Sequence, residues 1–199
     1  MHDLHPIPAA EMVAAFLRAE LASPRFEPTL LAILERDGRR RGVIEQPDLA
    51  NPADNEHRAH ILGEHRGYGR AEDVFTSVPP EVRWYRGQAT RSDLAHVRYI
   101  DYDYWTELSG GTRLAMDAAE RIRQGIEAFR VGNGAYWYLA EALKAGGSFP
   151  ELIMVGSEER GPLVLLEGHV RLTAYFLEPD YIPPLLPVIV GYAPGLDRK

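Results

Sequence analysis

The chain contains no cysteine, which excludes disulfide bonds, thiolate chemistry and cysteine-ligated zinc together. It also has no uninterrupted apolar run of about 18 residues, the length a bilayer-spanning helix needs; charge and proline break every hydrophobic stretch. The opening residues, MHDLHPIPAAEMVAAFLRAEL, carry neither the basic start nor the long apolar core of a secretory signal. A cytoplasmic protein without a membrane partner is expected. An excess of positive charge is missing as well: 22 Lys and Arg stand against 29 Asp and Glu, a formal net charge of -7. That balance opposes tight, unspecific binding to nucleic acid, where clustered cations must neutralise phosphates.

What is present suits a globular protein. The 199 residues, 45% of them hydrophobic, fit one domain with an appendage. The pattern divides into a mainly helical N-terminal extension, residues 1–80, and an α/β domain, residues 81–199. In residues 9–21 the side chains Met12, Val13, Phe16, Leu17 and Leu21 recur at helical spacing behind Pro8. A second helix is expected over residues 28–35. The run RDGRRRG that follows is a concentrated positive patch, read either as an anion-binding surface or as a solvated helix end. In NPADNEHRAHILGEHRG, Asp54 or Asn55 is the expected cap of a helix that sets His57, His60 and Glu64 on one face. Imidazoles at that spacing suit a transition metal or a plain polar face, and the string matches neither order of the zinc-peptidase motif.

In the second part, VRWYRGQATRSDLAHVRYIDYDYW mixes aromatic and β-branched residues around a short helical insert that Ser92 could cap. Were residues 99–105 extended, Asp101 and Asp103 would share a face and offer oxygen ligands to Mg²⁺. Next, LSGGTR opens a helix with a stripe of Leu114, Ala118, Ile122 and Ile126. Gly111, Thr112 and Arg113 in that turn supply backbone N–H groups and a fixed charge suited to an anion. The helix AYWYLAEALKAGG stops at Gly146 and Gly147. Then ELIMVG, PLVLLEG, HVRLTAYFL and PVIVG read as strand, strand, helix and strand. The strands are continuously apolar, so both faces should be covered. The stretch between PLVLLEG and PVIVG is long enough for a crossover helix and parallel pairing.

The decisive stretch is LLEGHVRLTAY. Glu167 and Gly168 fall at the carboxyl end of a buried strand, the usual address of ligands in α/β sheets. Gly168 allows a sharp turn, and the first N–H groups of the next helix, at His169 and Val170, carry partial positive charge. With Arg171 reaching back, they form an anion cradle. Beside it Glu167 makes chemical sense as a base, a metal ligand or the partner of Arg171. The plain alternative is a strand-to-helix turn in which Glu167 pairs with Arg171 and His169 makes a local hydrogen bond.

The string EGHVRLTAY, preceded by YWYLAEALKAGG, FPELIMVG and PLVLLEGH, resembles the box and upstream elements of the ParB/sulfiredoxin-like superfamily over residues 135–191. The resemblance implies a nucleotide-binding domain in which Gly168, His169 and Arg171 line the phosphate site. It implies ATP or CTP, with Mg²⁺, as the ligand. Sulfiredoxin chemistry needs a cysteine in the box, which this chain lacks. The helix-turn-helix region of the partitioning proteins does not follow PVIVGYAPG within this sequence. The expectation is a protein that binds a nucleotide or a phosphorylated small molecule, with Glu167 as catalytic residue if phosphate is transferred or hydrolysed. The rivals are a non-enzymatic regulatory or interaction module, with a protein partner or a second copy, and nucleic-acid processing through a basic face built on Arg36, Arg39, Arg40 and Arg41.

Overall fold

A computed structural model describes residues 1–196; the last three residues of the expected α/β domain, 197–199, lie outside the described residues. The protein is mixed α/β and divides into two compact units, one of residues 6–84 and one formed by residues 1–5 together with the chain from Tyr85 onward. No helix among the described residues is long and apolar enough to cross a membrane.

After β1 (His2–Ile7), the first unit holds α1 (Ala9–Leu21), α2 (Glu27–Arg36), α3 (Gly42–Glu45) and α4 (Pro52–Arg66). The expected helix over residues 9–21 is present with its apolar stripe buried, and Pro8 stands at its N-cap. The cap of α4 is Asn51, whose side chain accepts from the Ala53 and Asp54 N–H groups, and not Asp54 or Asn55. Pro52 decides this, because a proline preset for the first helical position places the cap one residue before it.

The second unit continues with β2 (Arg83–Ala89), α5 (Arg91–Leu94), β3 (Arg98–Tyr99), α6 (Asp103–Leu108), α7 (Ala115–Arg123), α8 (Gly134–Lys144), β4 (Leu152–Gly156), β5 (Leu163–Glu167), α9 (His169–Leu177) and β6 (Leu186–Tyr192). The strands make one six-stranded sheet in the order β1-β2-β6-β4-β5-β3, so the segment expected to be mainly helical also contributes a strand. Both β4 and the first four residues of β5 are buried throughout, as continuous apolar runs require.

Strand order departs from expectation. β4 pairs antiparallel with β5 and parallel with β6. The strand–helix–strand segment of β5, α9 and β6 is therefore not a parallel pair, since β4 lies between its strands. The short connection of residues 157–162 favours an antiparallel hairpin of β4 and β5, and α9 then carries the chain back past β4. β3 also pairs parallel with β5, Arg98 facing Val164 and Tyr99 facing Leu165.

Three local readings are corrected. Residues 99–105 are not extended: β3 ends at Tyr99 and α6 begins at Asp103, where a carboxylate in the first turn complements the helix dipole. Asp101 and Asp103 thus share no strand face. Thr90, not Ser92, caps α5 through a reciprocal pair of hydrogen bonds with Asp93. The stripe begun at Leu114 stops early, because Leu114 is the N-cap of α7 and the helix ends at Arg123, before Ile126. The close of α8 matches expectation: Gly146, at φ +82°, lets the Gly147 N–H reach the Ala142 carbonyl at 2.9 Å and the Gly146 N–H that of Leu143 at 2.9 Å.

Candidate functional site at the head of the ninth helix

β5 carries Glu167 at its carboxyl end, and Gly168 turns the chain into α9 with φ +104°. The first helical hydrogen bond runs from the Leu172 N–H to the Gly168 carbonyl at 2.8 Å, so His169, Val170 and Arg171 form the opening turn. Gly168 is required there twice over. Its φ is disfavoured for residues with a Cβ. A Cβ would also overlap Leu152 Cδ2 and come within 3.0 Å of an Arg171 guanidinium nitrogen.

Arg171 reaches back beneath the turn and is 8% exposed. Its Nη2 donates to the Glu167 carboxylate and to the Glu151 carbonyl, the latter at 3.2 Å. Its Nε is buried without a hydrogen-bond partner. Glu151, just before β4, is held in turn by Arg86 of β2, Nε to Oε1 at 2.6 Å and Nη2 to Oε2 at 3.1 Å. Two ion pairs, Arg171 with Glu167 and Arg86 with Glu151, are thus linked through the Glu151 backbone carbonyl.

His169 is fixed by aromatic contact. Its ring stacks on Trp105 at 4.6 Å between centroids and 17° between planes, with Tyr99 at 5.7 Å. Below it the Thr173 hydroxyl donates to the His169 carbonyl at 2.7 Å. That hydroxyl therefore accepts from the Tyr99 hydroxyl, 2.7 Å away. Burial pushes the Tyr99 phenol far above its ordinary range, against the smaller opposing effect of the Thr173 bond, so it remains a donor. The head of α9 is thus held by contacts at Gly168, His169 and Arg171.

The second expected anion turn is closed upon itself. The Gly111 N–H is taken by the Thr106 carbonyl at 2.8 Å, that of Arg113 by Ser109 Oγ at 2.8 Å and that of Leu114 by Thr112 Oγ1 at 3.2 Å. The Arg113 guanidinium donates through Nε and Nη2 to the Tyr99 carbonyl at 2.8 and 2.5 Å, and desolvation lowers its pKa against the raising influence of Asp101. Arg113 thus braces β3, and the N–H groups of Gly111, Arg113 and Leu114 are taken up within the turn.

In the helical unit three of the four arginines of the basic run are paired internally, all but Arg40. Arg36 clamps Glu64 at 2.5 and 2.8 Å, Arg39 pairs with Asp54 at 2.7 Å, and Arg41 holds Glu27 at 2.6 Å and Glu45 at 2.9 Å. His57 turns to Asp37 at 3.0 Å while His60 faces Glu64 at 3.6 Å. Among the described residues no group of three metal-ligating side chains converges. The charged group most deeply buried on α4 is Arg58, bonded to the Val43 and Asp48 carbonyls and to Asn55.

Sequence reading missed Arg86, Glu151, Tyr99 and Trp105 as neighbours of the box. Only the aromatic density of RYIDYDYW hinted at the last two; Arg86 and Glu151 lie 65 residues apart and nothing local links them. Comparison with family models, with curated proteins and with solved structures finds no match for this chain.

Proposed function

We propose that this protein binds a nucleotide or another phosphorylated ligand at the Glu167–Arg171 turn, in a domain of ParB/sulfiredoxin type. The observation that carries the reading is the buried, unpartnered Nε of Arg171 beneath the glycine turn. A desolvated guanidinium donor at a helix N-terminus gains most from an anion, through charge-assisted hydrogen bonds added to the helix dipole.

In this reading Glu167 competes with the ligand for Arg171. An arriving phosphate takes the guanidinium and releases the carboxylate. Any Mg²⁺ comes with the phosphates, because such ions keep several waters and need few protein oxygens. The enzymatic form of the reading follows from that release: Glu167 accepts a proton from water as its oxygen attacks the terminal phosphorus and the bond to the leaving phosphate breaks. The non-enzymatic form, a module ordered by its ligand, is favoured by the resting pair between Arg171 and Glu167.

Calorimetric titration with ATP, CTP, GTP and inorganic phosphate, with and without Mg²⁺, tests the binding. The expected result is saturable heat that Arg171→Ala abolishes and Glu167→Gln preserves or strengthens. Absence of binding at millimolar nucleotide sinks the proposal. Nucleotide hydrolysis by the wild type that is lost in Glu167→Gln selects the enzyme; no turnover selects the module.

A further inference from the structure

A guanidinium presents its Nε–H and one Nη–H along the same edge, and so takes a pair of oxygens side by side. Arg86 uses that edge in full, Nε on one oxygen of Glu151 at 2.6 Å and Nη2 on the other at 3.1 Å. On Arg171 the edge is half used. Nη2 donates to the Glu167 carboxylate and to the Glu151 carbonyl, while Nε, on a side chain 10% exposed, has no hydrogen-bond partner. An oxygen that takes Nε therefore arrives beside the Glu167 carboxylate.

The carboxylate stays close when that happens. Its side chain is 11% exposed and its backbone is fixed in β5, opposite Ile153 of β4; on the other side β3 ends at Tyr99, opposite Leu165. The charged groups around it are the Arg171 guanidinium, whose field also reaches the Tyr175 phenol of α9, and, beyond the Glu151 carbonyl, the pair of Arg86 and Glu151. The His169 ring is turned aside onto Trp105. One guanidinium thus serves both the carboxylate and an arriving anion. Two anionic oxygens in contact repel, unless a proton lies between them and turns the contact into a short O–H···O⁻ hydrogen bond.

We propose that Glu167 makes this turn selective for a phosphate that carries its own proton. The ligand's O–H donates to the Glu167 carboxylate, while its other oxygens take Arg171 and the N–H groups of His169 and Val170. This selectivity presupposes the phosphate site proposed above, in its non-enzymatic form, because a carboxylate that holds the ligand's proton is not a base for water. A phosphate monoester supplies such a proton and loses it near pH 6. Sulfate and phosphodiesters supply none at neutral pH, so the proton has to come from the carboxyl group, and an ordinary glutamic acid keeps one only below about pH 4.3. The gap of about 1.7 pH units between the two sources corresponds to a preference of about 50-fold at pH 7. The ligand class is thus inorganic phosphate or a phosphate monoester, including the terminal phosphate of a nucleotide, and excludes the diester backbone of nucleic acid.

Methyl phosphate, dimethyl phosphate and sulfate are the probes, titrated into the full chain at pH 7 and followed through the amide signals of His169 and Val170 in ¹H–¹⁵N spectra. Methyl phosphate is expected to bind about 50-fold more tightly than either of the others. Its affinity should fall about tenfold per pH unit above about pH 6, as the proton is lost; this profile is read on the wild type and needs no variant. Glu167→Gln puts an amide donor where the acceptor stood. Sulfate and dimethyl phosphate should then bind within about threefold of methyl phosphate, and the pH dependence should flatten. Equal binding of the three probes by the wild type, affinity constant between about pH 6 and 8, or a preference that survives Glu167→Gln overturns the selectivity and leaves the phosphate site standing. So does nucleotide binding without methyl phosphate binding, or nucleotide hydrolysis that Glu167→Gln abolishes. No shift with millimolar methyl phosphate, inorganic phosphate, ATP or CTP overturns the site and its selectivity together.

Discussion

Replacing Gly168 by alanine strikes the head of α9 through one methyl group. At φ +104° the backbone conformation costs a residue with a Cβ roughly 1–2 kcal/mol. The methyl also overlaps Leu152, a side chain 2% exposed and fixed at the start of β4. Overpacking of that kind adds about 1–3 kcal/mol, for a total of about 2–5 kcal/mol, or about 4–20 °C in melting temperature for a chain of this size. Urea denaturation followed by circular dichroism measures it. A double-mutant cycle with Leu152→Ala separates the two parts, because shortening Leu152 removes the overlap but not the backbone strain. The pair should then cost less than the sum of the single changes by about 1–3 kcal/mol. A loss below about 0.5 kcal/mol for Gly168→Ala, or strict additivity in the cycle, refutes the packing assigned to this turn.

Other consequences follow from the ion pairs and buried phenols. Arg171→Ala removes the ion pair from the Glu167 carboxylate, 11% exposed, and should cost about 3–5 kcal/mol; adding Glu167→Gln should restore a large part, and a single-variant loss under about 1 kcal/mol in urea contradicts the pairing. Burial pushes the phenols of Tyr175 and Tyr192 up to about 12. With the folded-state values above the unfolded value of about 10, their contribution is present below pH about 10 and lost as pH rises towards 12. In an alkaline titration these phenols and Tyr99 should ionise late, together with the loss of helical circular dichroism. Ionisation of all ten tyrosines near pH 10 with the fold intact, about the unperturbed value, contradicts it. Duplex DNA should bind no better than micromolar at physiological salt, since Arg36, Arg39 and Arg41 are neutralised internally; submicromolar affinity in a mobility-shift assay reverses that conclusion.

Much of the architecture was legible where local chemistry decides it. The apolar runs of β4, β5 and β6, the helical stripe of α1 and the Gly146–Gly147 stop of α8 all depend on neighbours within a few residues, and they stand where their patterns put them. Strand order was not legible, because no local pattern says that β4 lies between β5 and β6. Residues 99–105 alternate as a strand would, yet the turn at Tyr102 and the acid at Asp103 begin a helix, a case of end chemistry overruling periodicity. The candidate site was half legible. Gly168 and Arg171 announced a turn with a charge, and pairing of Arg171 with Glu167 was one of the readings their spacing left open. The link of that pair to Arg86 through Glu151 joins groups that lie far apart in the chain and was not legible.

The central claim is that the buried Nε of Arg171 awaits an anion, and its own proton reports on it most directly. In two-dimensional ¹H–¹⁵N spectra of the guanidinium region, titration with ATP, CTP and inorganic phosphate should shift the Arg171 Nε–H resonance saturably, together with the amide signals of His169 and Val170. The same titration of Arg171→Ala should leave both amides unmoved. An Arg171 Nε–H signal that stays fixed up to millimolar nucleotide and phosphate contradicts the account.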